Sequence, residues 1–316
     1  MSSAPFSPPA GLTLASMLYP ASLCAFMVRH GLSKKSLSHS GAAAATIVGL
    51  GTFTHTPYVF SVALLSFYLS SSRLTKFKSQ AKKKLEEDHQ EGGARTAIQV
   101  FSNGATGTAI ALLFQYVYWN QASRPVSLFL EDWRASVLLF AYLGHYACCN
   151  GDTWASELGI LNKSWPTLIT TLKKVPPGTN GGVSTLGLGA SVAGGFFIGI
   201  ASALSLIFQQ LAEAQKNWAG IGAFANSLNG GFLFSVIFAA TAAGLFGSLL
   251  DSFLGATVQK SSFSTKKNMI TYKTPENGDE IKDISGIDLL DNHQVNFVSS
   301  LLTALATGYF AWRFLW

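Results

Sequence analysis

Long apolar stretches alternate with short polar ones along this chain. The apolar runs fall near 12–29, 41–55, 57–72, 103–119, 135–150, 183–208, 230–258 and 295–315. Most have the roughly 17 to 25 residues that a bilayer-crossing helix needs. Pro57 separates 41–55 from 57–72, so that pair reads either as two short helices in a hairpin or as one kinked span. The run 230–258 is long and contains Asp251, so its last turns are expected to leave the hydrocarbon. The pattern predicts an all-α, polytopic transmembrane bundle of about eight spans, with six or seven as the alternatives. Residues 1–316 are expected to form one integral membrane domain with a basic loop at 73–95 and a flexible polar loop at 260–287.

Loop charge bears on the count. Lys and Arg number three in 29–40, seven in 73–95, three in 152–182 and five in 259–294, against two in 120–134 and one in 209–229. Cytoplasmic loops carry the Lys/Arg excess. The four basic loops share one side only if 41–72 crosses twice, which favours eight spans with both ends on the non-cytoplasmic side. The glycines at 187, 189, 194, 195 and 199 are suited to close helix approach, and no internal repeat is evident.

Composition agrees with the pattern. Hydrophobic residues are 48% and charged residues 12% of 316, with 30 Gly, 10 Pro and a net charge of +6. The charged fraction is about half the globular norm of roughly 25%. This excludes a disordered chain, a nucleic-acid-binding domain and a typical soluble enzyme. Cys24, Cys148 and Cys149 each lie within an apolar run, which suits buried thiols and neither a zinc site nor a disulfide framework. The N-terminal residues MSSAPFSPPAG resemble neither a signal peptide nor an Arg-rich transit peptide. An endomembrane such as the endoplasmic reticulum is therefore the expected location, with a plastid disfavoured.

Ionisable groups in or beside spans are functional candidates by default. Four clusters stand out. Asn150 to Gly159 follows a span that carries His145; on a helix, Asp152 and Ser156 share a face, as do Thr153 and Glu157. Carboxylates with hydroxyls at a membrane mouth suit Mg²⁺, and a capped helix end with a solvated Glu157 is the plainer alternative. Residues 176–184 (PPGTNGGVS) lead into an apolar helix, where free N–H groups and the helix dipole favour an anion. Thr179, Asn180, Gly181, Gly182 and Ser184 are the candidates there, with Lys173 and Lys174 adding positive charge; an ordinary turn is the alternative. The basic stretch holds Lys76, Lys78 and Lys82 to Lys84, and leads to Arg95, Gln99 and Asn103, spaced by four on one face. A topology determinant or an anionic-lipid contact is its alternative reading. Last, Ser248, Asp251 and Ser252 end one run, while Asp288, Asn292 and Asn296 form an i, i+4, i+8 row beside Asp291. Convergence of these groups on one mouth would make a metal site; helix caps are the alternative.

These residues carry a family resemblance. The runs GDTWASELG (151–159), PPGTNGGVS (176–184), EGGARTAIQVFSNG (91–104), GSLLDSFLGATVQ (247–259) and DNHQVNFVSSL (291–301) resemble the ordered motifs of the transmembrane protein 19 family, also called domain-of-unknown-function family 92. The resemblance runs from about residue 40 to Trp316, and His293 with Gln294 departs from a simpler form of the last motif. A photosynthetic branch of that family is similar to phytyl-phosphate kinases, which pass a phosphoryl group from CTP to an isoprenyl monophosphate.

The resemblance thus implies a kinase acting on a farnesyl, geranylgeranyl or longer prenyl monophosphate, using CTP or another NTP with Mg²⁺. Asp152, Glu157 and Asp251 would be catalytic. Asp152, Asp251, Asp291, Asn292 and Asn296 would hold the metal. Lys76, Lys78, Arg95, Gln99, Asn103, Thr179, Asn180, Gly181, Gly182 and Ser184 would hold phosphates. The elementary chemistry agrees, because phosphoryl transfer needs charge clamps and positioning rather than a protein nucleophile. Membrane lipids are the expected surroundings, no nucleic acid is expected, and the oligomeric state is left open. The competing classes are a transporter or lipid translocator, for which inverted repeats are expected, and a membrane scaffold without chemistry.

Overall fold

The computed structural model describes residues 14–54, 56–76, 94–121, 125–216, 229–271 and 280–316. Among them are eight helices of fifteen residues or more: α1 (Leu18–Ser33), α2 (His39–Phe53), α3 (Tyr58–Lys76), α4 (Ala97–Val117), α5 (Trp133–Gly159), α6 (Thr185–Lys216), α7 (Gly230–Val258) and α8 (Asn292–Phe314). Each apolar run in the sequence is one of these helices. Pro57 lies between α2 and α3, so 41–72 is a hairpin of two helices.

Side chains mark several starts. Ser38 accepts from Gly41 N–H at α2, Asp132 from Arg134 N–H at α5, and Asn229 from Phe232 N–H at α7. Asp291 accepts from His293 and Gln294 N–H at α8, and Gln294 returns a bond to the Asp291 N–H. These bonds satisfy donors that a helix start leaves without partners.

Among the described residues, four helices are long and apolar enough to cross a membrane: α4, α6 through Gln215, α7 and α8. α1 and α2 have 16 and 15 residues, and α3 carries several serines with Arg73 and Lys76. α5 is the centre of the bundle, packed on α3, α4, α6, α7 and α8. Every residue from Leu138 to Gly151 on it is buried, so it meets protein and not solvent. A helix placed there can carry His145, Asn150 and Asp152 without being apolar all round.

The outer surface is that of a membrane protein. Phe234, Phe238, Phe246 and Phe253 form one stripe on α7 and are 49–69% exposed. A surface of this kind suits lipid. Tyr19, Tyr58, Tyr116, Trp133, Tyr309, Trp312 and Trp316 are also exposed and lie where α1, α3 and α5 begin and α4 and α8 end. Such a band of Tyr and Trp is found at membrane–water interfaces.

Helix approach is set by glycine at α5, α6 and α7. A Cβ at Gly151 would stand 2.6 Å from the Gly244 carbonyl oxygen, one at Gly194 would be 2.9 Å from Gly151 Cα, and one at Gly244 would be 2.6 Å from Gly195 Cα. Gly199 likewise faces Ile237 Cα at 2.9 Å. Gly189, grouped with these in sequence, has no heavy atom within 4 Å of such a Cβ among the described residues.

Five short strands accompany the helical bundle among the described residues. β1 (Thr167–Leu168) pairs antiparallel with β2 (Gly182–Val183). β3 (Ser261–Ser264) lies between β4 (Met269–Thr271) and β5 (Ile281–Ser285), antiparallel to both. The stretch read as a flexible loop at 260–287 therefore holds a sheet over its described residues. It gives no apolar alternation because the buried side chains of β3 are serines. Ser261 Oγ accepts from Asn180 N–H at 3.0 Å, and Ser262 Oγ donates to Asp283 at 2.8 Å.

Gly244→Ala should destabilise the protein by about 1–3 kcal/mol, as overpacking does. Gly189→Ala should be neutral or stabilising by about 0.5–1 kcal/mol, since Ala favours helix more than Gly. Thermal unfolding of both variants in detergent, followed by tryptophan fluorescence, checks the pair.

Candidate functional site: a polar cavity at one end of the bundle

The helices alternate in direction, so the end of α3, α5 and α7 is also the start of α4, α6 and α8. At that end the helix termini and both sheets enclose a cavity of about 1290 Å³. Thr75, the 159–187 segment and the 259–292 segment all contribute to its lining. The loops beginning at 73, 152 and 259 thus meet at one end.

One wall is cationic and amide-rich. Arg95, Gln99 and Asn103 line it, as their spacing of four predicts. Arg95 is held by its backbone: its N–H donates to Ser36 O at 3.0 Å, and its carbonyl accepts from Ser38 N–H at 3.1 Å. Its guanidinium lies 5.5 Å from the Phe67 ring centroid. Burial lowers its pKa from the usual arginine range, while Tyr68, Glu157 and Cys149 raise it; an arginine so placed stays cationic at neutral pH. Gln99 also caps α4 through the Thr96 N–H at 2.9 Å.

Two carboxylates line the same cavity, Asp152 from α5 and Asp251 from α7. Ser248 donates to Asp152 Oδ1 at 3.2 Å, and Ser299 donates to Asp251 Oδ2 at 2.8 Å. With its amide oriented to satisfy both neighbours, Asn296 donates to Asp251 Oδ2 at 3.3 Å and to Asn292 O at 3.0 Å. Asp291 and Asn292 line the same mouth, where Asp291 is the N-cap of α8. Glu157 also lines the cavity and is 6% exposed; its charge is among those that favour the cationic form of Arg95.

The loop 176–184 forms the third side, with Thr179, Asn180, Gly181, Gly182 and Ser184 all in the lining. Several of its polar groups hold its own shape. Thr179 N–H donates to Pro176 O, Asn180 N–H to Ser261, and Gly182 N–H to Thr179 O. Ser184 Oγ accepts from Gly187 N–H at the start of α6. Gly181 has φ +80°, and a Cβ there would stand 2.4 Å from Ala256 Cβ. Glycine at this position lets the loop lie against α7 in a backbone conformation that other residues rarely adopt.

Other expected groups lie elsewhere. Lys76 is not in the lining; its ammonium donates to the Lys34 carbonyl, and Lys78 lies outside the described residues. Lys174 is engaged with Trp165 O at 2.8 Å and Thr167 Oγ1 at 3.0 Å. His145 is fully buried with Nε2 3.0 Å from the Asn103 carbonyl, outside the cavity lining.

Several lining residues were missed in the sequence. Lys260 and Asp283 form an ion pair at 3.1 Å on the sheet side, where Ser262 and Lys260 hold the Asp283 carboxyl below its ordinary range. Ser299, outside the lining but a donor to Asp251, follows Asn296 by three residues, so helical spacing would have found it. Asn150 lies beneath the site rather than in it. Its Oδ1 accepts from Ser70 at 2.8 Å and Ser71 at 3.1 Å, and its Nδ2 donates to Gly194 O at 2.8 Å. One buried amide thereby ties α3, α5 and α6 together.

Among the described residues, no three His, Cys, Asp or Glu side chains are grouped as a metal cage. Two neighbouring carboxylates with hydroxyl and amide oxygens fit a different case. Mg²⁺ is commonly held by one or two carboxylates together with substrate phosphates and water. A carboxylate offers about four acceptor sites, so the Ser and Asn bonds leave capacity for a cation.

Comparison with known proteins adds the family. Over 289 residues the chain is 38% identical to Protein PGR of Arabidopsis thaliana, covering 91% of this chain and 92% of that protein. It is 26% identical to the uncharacterized membrane protein MJ0933 of Methanocaldococcus jannaschii, over 75% of this chain and 81% of that one. It is also 26% identical to the uncharacterized membrane protein sll0875 of Synechocystis, over 57% and 67%. No solved structure matches the chain. Residues 22–304 match the family described as Integral membrane protein DUF92. The chain is a multi-pass integral membrane protein and belongs to that family.

Proposed function

We propose that the protein is a Mg²⁺-dependent kinase that transfers the γ-phosphoryl group of CTP, or another NTP, to a prenyl monophosphate. The observation that carries this reading is the presence in one cavity of the Arg95 cation with its amide neighbours and of two carboxylates from different helices, Asp152 and Asp251. A volume of about 1290 Å³ exceeds the roughly 300–1,000 Å³ of ordinary ligand pockets, as two phosphate-bearing substrates require. The resemblance to phytyl-phosphate kinases supports the same reaction.

In this reading an acceptor phosphate oxygen attacks the γ-phosphorus. The bond from that phosphorus to the β-bridging oxygen breaks, its electron pair leaves with the nucleoside diphosphate, and a prenyl diphosphate forms. The acceptor oxygen is already ionised, so no protein base is needed. Asp152 and Asp251 would hold Mg²⁺, which supplies charge neutralisation on the phosphoryl oxygens. Arg95 would clamp the acceptor phosphate, with Glu157 fixing the guanidinium. The 176–184 loop and Asn292 would bound the nucleotide phosphates. Eight spans with the cavity facing the cytoplasm satisfy the loop charges, and an endomembrane is the proposed location.

Purified protein given labelled CTP, Mg²⁺ and a panel of prenyl monophosphates should form labelled diphosphate. Asp152→Asn should lower turnover by roughly 10²-fold or more, the scale for losing one group that stabilises the transferred charge. Asn can still accept the Ser248 bond, so the variant should remain monodisperse. Near-normal turnover across a Mg²⁺ titration would return Asp152 to a structural role. Single cysteines at Thr75, Ser164 and Leu289 should all label from the cytoplasmic side in sealed vesicles. Labelling of Ser164Cys from the opposite side to Thr75Cys would contradict the eight-span arrangement.

A further inference from the structure

Between the end of α5 and the start of α6 the chain makes a small closed hairpin over 165–175. Leu168 N–H donates to Lys173 O at 2.8 Å, Leu172 N–H to Leu168 O at 2.8 Å, and Val175 N–H to Pro166 O at 3.0 Å. Its inner side is apolar and packed, with Leu168 and Val175 in a buried cluster with Ala256 of α7. Its tip is built differently. Leu172 has φ +58° and is 78% exposed. A bulky side chain in the left-handed region costs free energy that glycine avoids, so the turn itself does not call for leucine. What Leu172 adds is an apolar side chain held out from the fold. Trp165, at the base of the same hairpin, is 55% exposed. Backbone strain that surrounding hydrogen bonds maintain is a mark of functional segments.

The charge around these side chains has one sign. Lys163 and Lys173 are exposed, and no Asp or Glu occurs from 158 to 212. Among the described residues, neither lysine forms an ion pair. Exposed Trp and Leu interleaved with Lys are typical of segments that lie in a membrane–water interface. The hairpin joins two helices of the bundle, which keeps it beside the leaflet surface. We propose that the 165–175 hairpin docks on the adjoining leaflet, with Leu172 and Trp165 entering the headgroup region and Lys163 and Lys173 pairing with anionic lipid headgroups. Charge complementarity selects anionic lipid, since a second copy of this hairpin would bring the same uncompensated lysines. β1 of the hairpin pairs with β2, and Ile169 N–H donates to Gly181 O at 3.0 Å. A docked hairpin therefore holds the 176–184 side of the cavity at the membrane surface. The docking is independent of the reaction assigned to the cavity.

The test uses the full chain carrying a nitroxide at Thr170→Cys, an exposed position of the tip; Cys24, Cys148 and Cys149 are buried. Nanodiscs of phosphatidylcholine alone are compared with nanodiscs of equimolar phosphatidylcholine and phosphatidylserine. Power saturation reads collisions of the label with oxygen, which concentrates in lipid, against a water-soluble nickel chelate. In the anionic discs the tip should favour oxygen. Lys163→Glu with Lys173→Glu should lower the ratio of docked to free hairpin there by roughly tenfold or more, because each cation near an anionic surface contributes about a fivefold preference. Leu172→Gly suits the positive φ, so it keeps the fold, and it should lower the oxygen preference in both kinds of disc by removing the inserted side chain. A tip as open to the chelate in anionic discs as in detergent overturns the docking. So does a tip shielded from the chelate alike in neutral and anionic discs and indifferent to the charge reversal, the result expected if the cavity loops or a second copy covered it.

Discussion

The site depends on the backbone contact among α5, α6 and α7. Gly151, Gly194, Gly195 and Gly244 bring these helices so close that an added Cβ meets neighbouring backbone at 2.4–2.9 Å. Asp152 follows Gly151 directly, and Asp251 lies two turns beyond Gly244 on α7. Close approach at the glycines is therefore what places two carboxylates from separate helices at one mouth. Larger residues would part the helices, and the anionic wall would part with them. Asn150 secures the same junction with three hydrogen bonds to α3 and α6, in a place where an unpaired amide would cost about 1–3 kcal/mol.

The remainder of the bundle can be read as the surroundings this junction requires. A charged group within hydrocarbon is costly, and such groups face a bundle interior or a wet cavity. Here Asp152 and Asp251 face a polar cavity, and Ser248, Ser299 and Asn296 donate to them. The cation of the same cavity is held from outside the long helices: the Arg95 backbone pairs with the turn between α1 and α2. Arg95 precedes α4, Asp152 is on α5 and Asp251 on α7, so the cavity forms only when these segments are packed together. The sheet of β3, β4 and β5 closes a further side with Lys260, Ser262 and Asp283.

Much of this was legible in the sequence, for identifiable reasons. Hydropathy marks each helix because the lipid-facing residues are apolar, and Pro57 marks the break between α2 and α3. Gln99 with Asn103 and Asn292 with Asn296 reach the cavity because helical spacing sets which residues share a face, while Arg95 and Asp288 line it from just before their helices. Three things were hidden. The strands at 261–285 escaped notice because the buried side chains of the central strand β3 are serines, which leave no hydrophobic period. The glycine partners escaped because spacing within one helix does not say which glycine on another helix it meets; Gly189 meets none, and Gly181 packs against Ala256 as well as lining the cavity. The place of Lys76 escaped because a flexible basic side chain at a helix end can turn towards the site or, as here, towards the Lys34 carbonyl.

The central claim is that Asp152 and Asp251 together hold a divalent cation against the nucleotide phosphates, in the cavity that Arg95 also lines. The most direct measurement is an experimental structure of the protein with Mn²⁺ in place of Mg²⁺ and a non-hydrolysable CTP analogue, the metal located by its anomalous scattering. The account predicts one Mn²⁺ peak within about 2.5 Å of oxygens from both carboxylates, near the range of hard-cation oxygen contacts, with analogue phosphates completing its shell. Analogue bound in the cavity with Mn²⁺ distant from both carboxylates, or analogue bound outside the cavity, would contradict it.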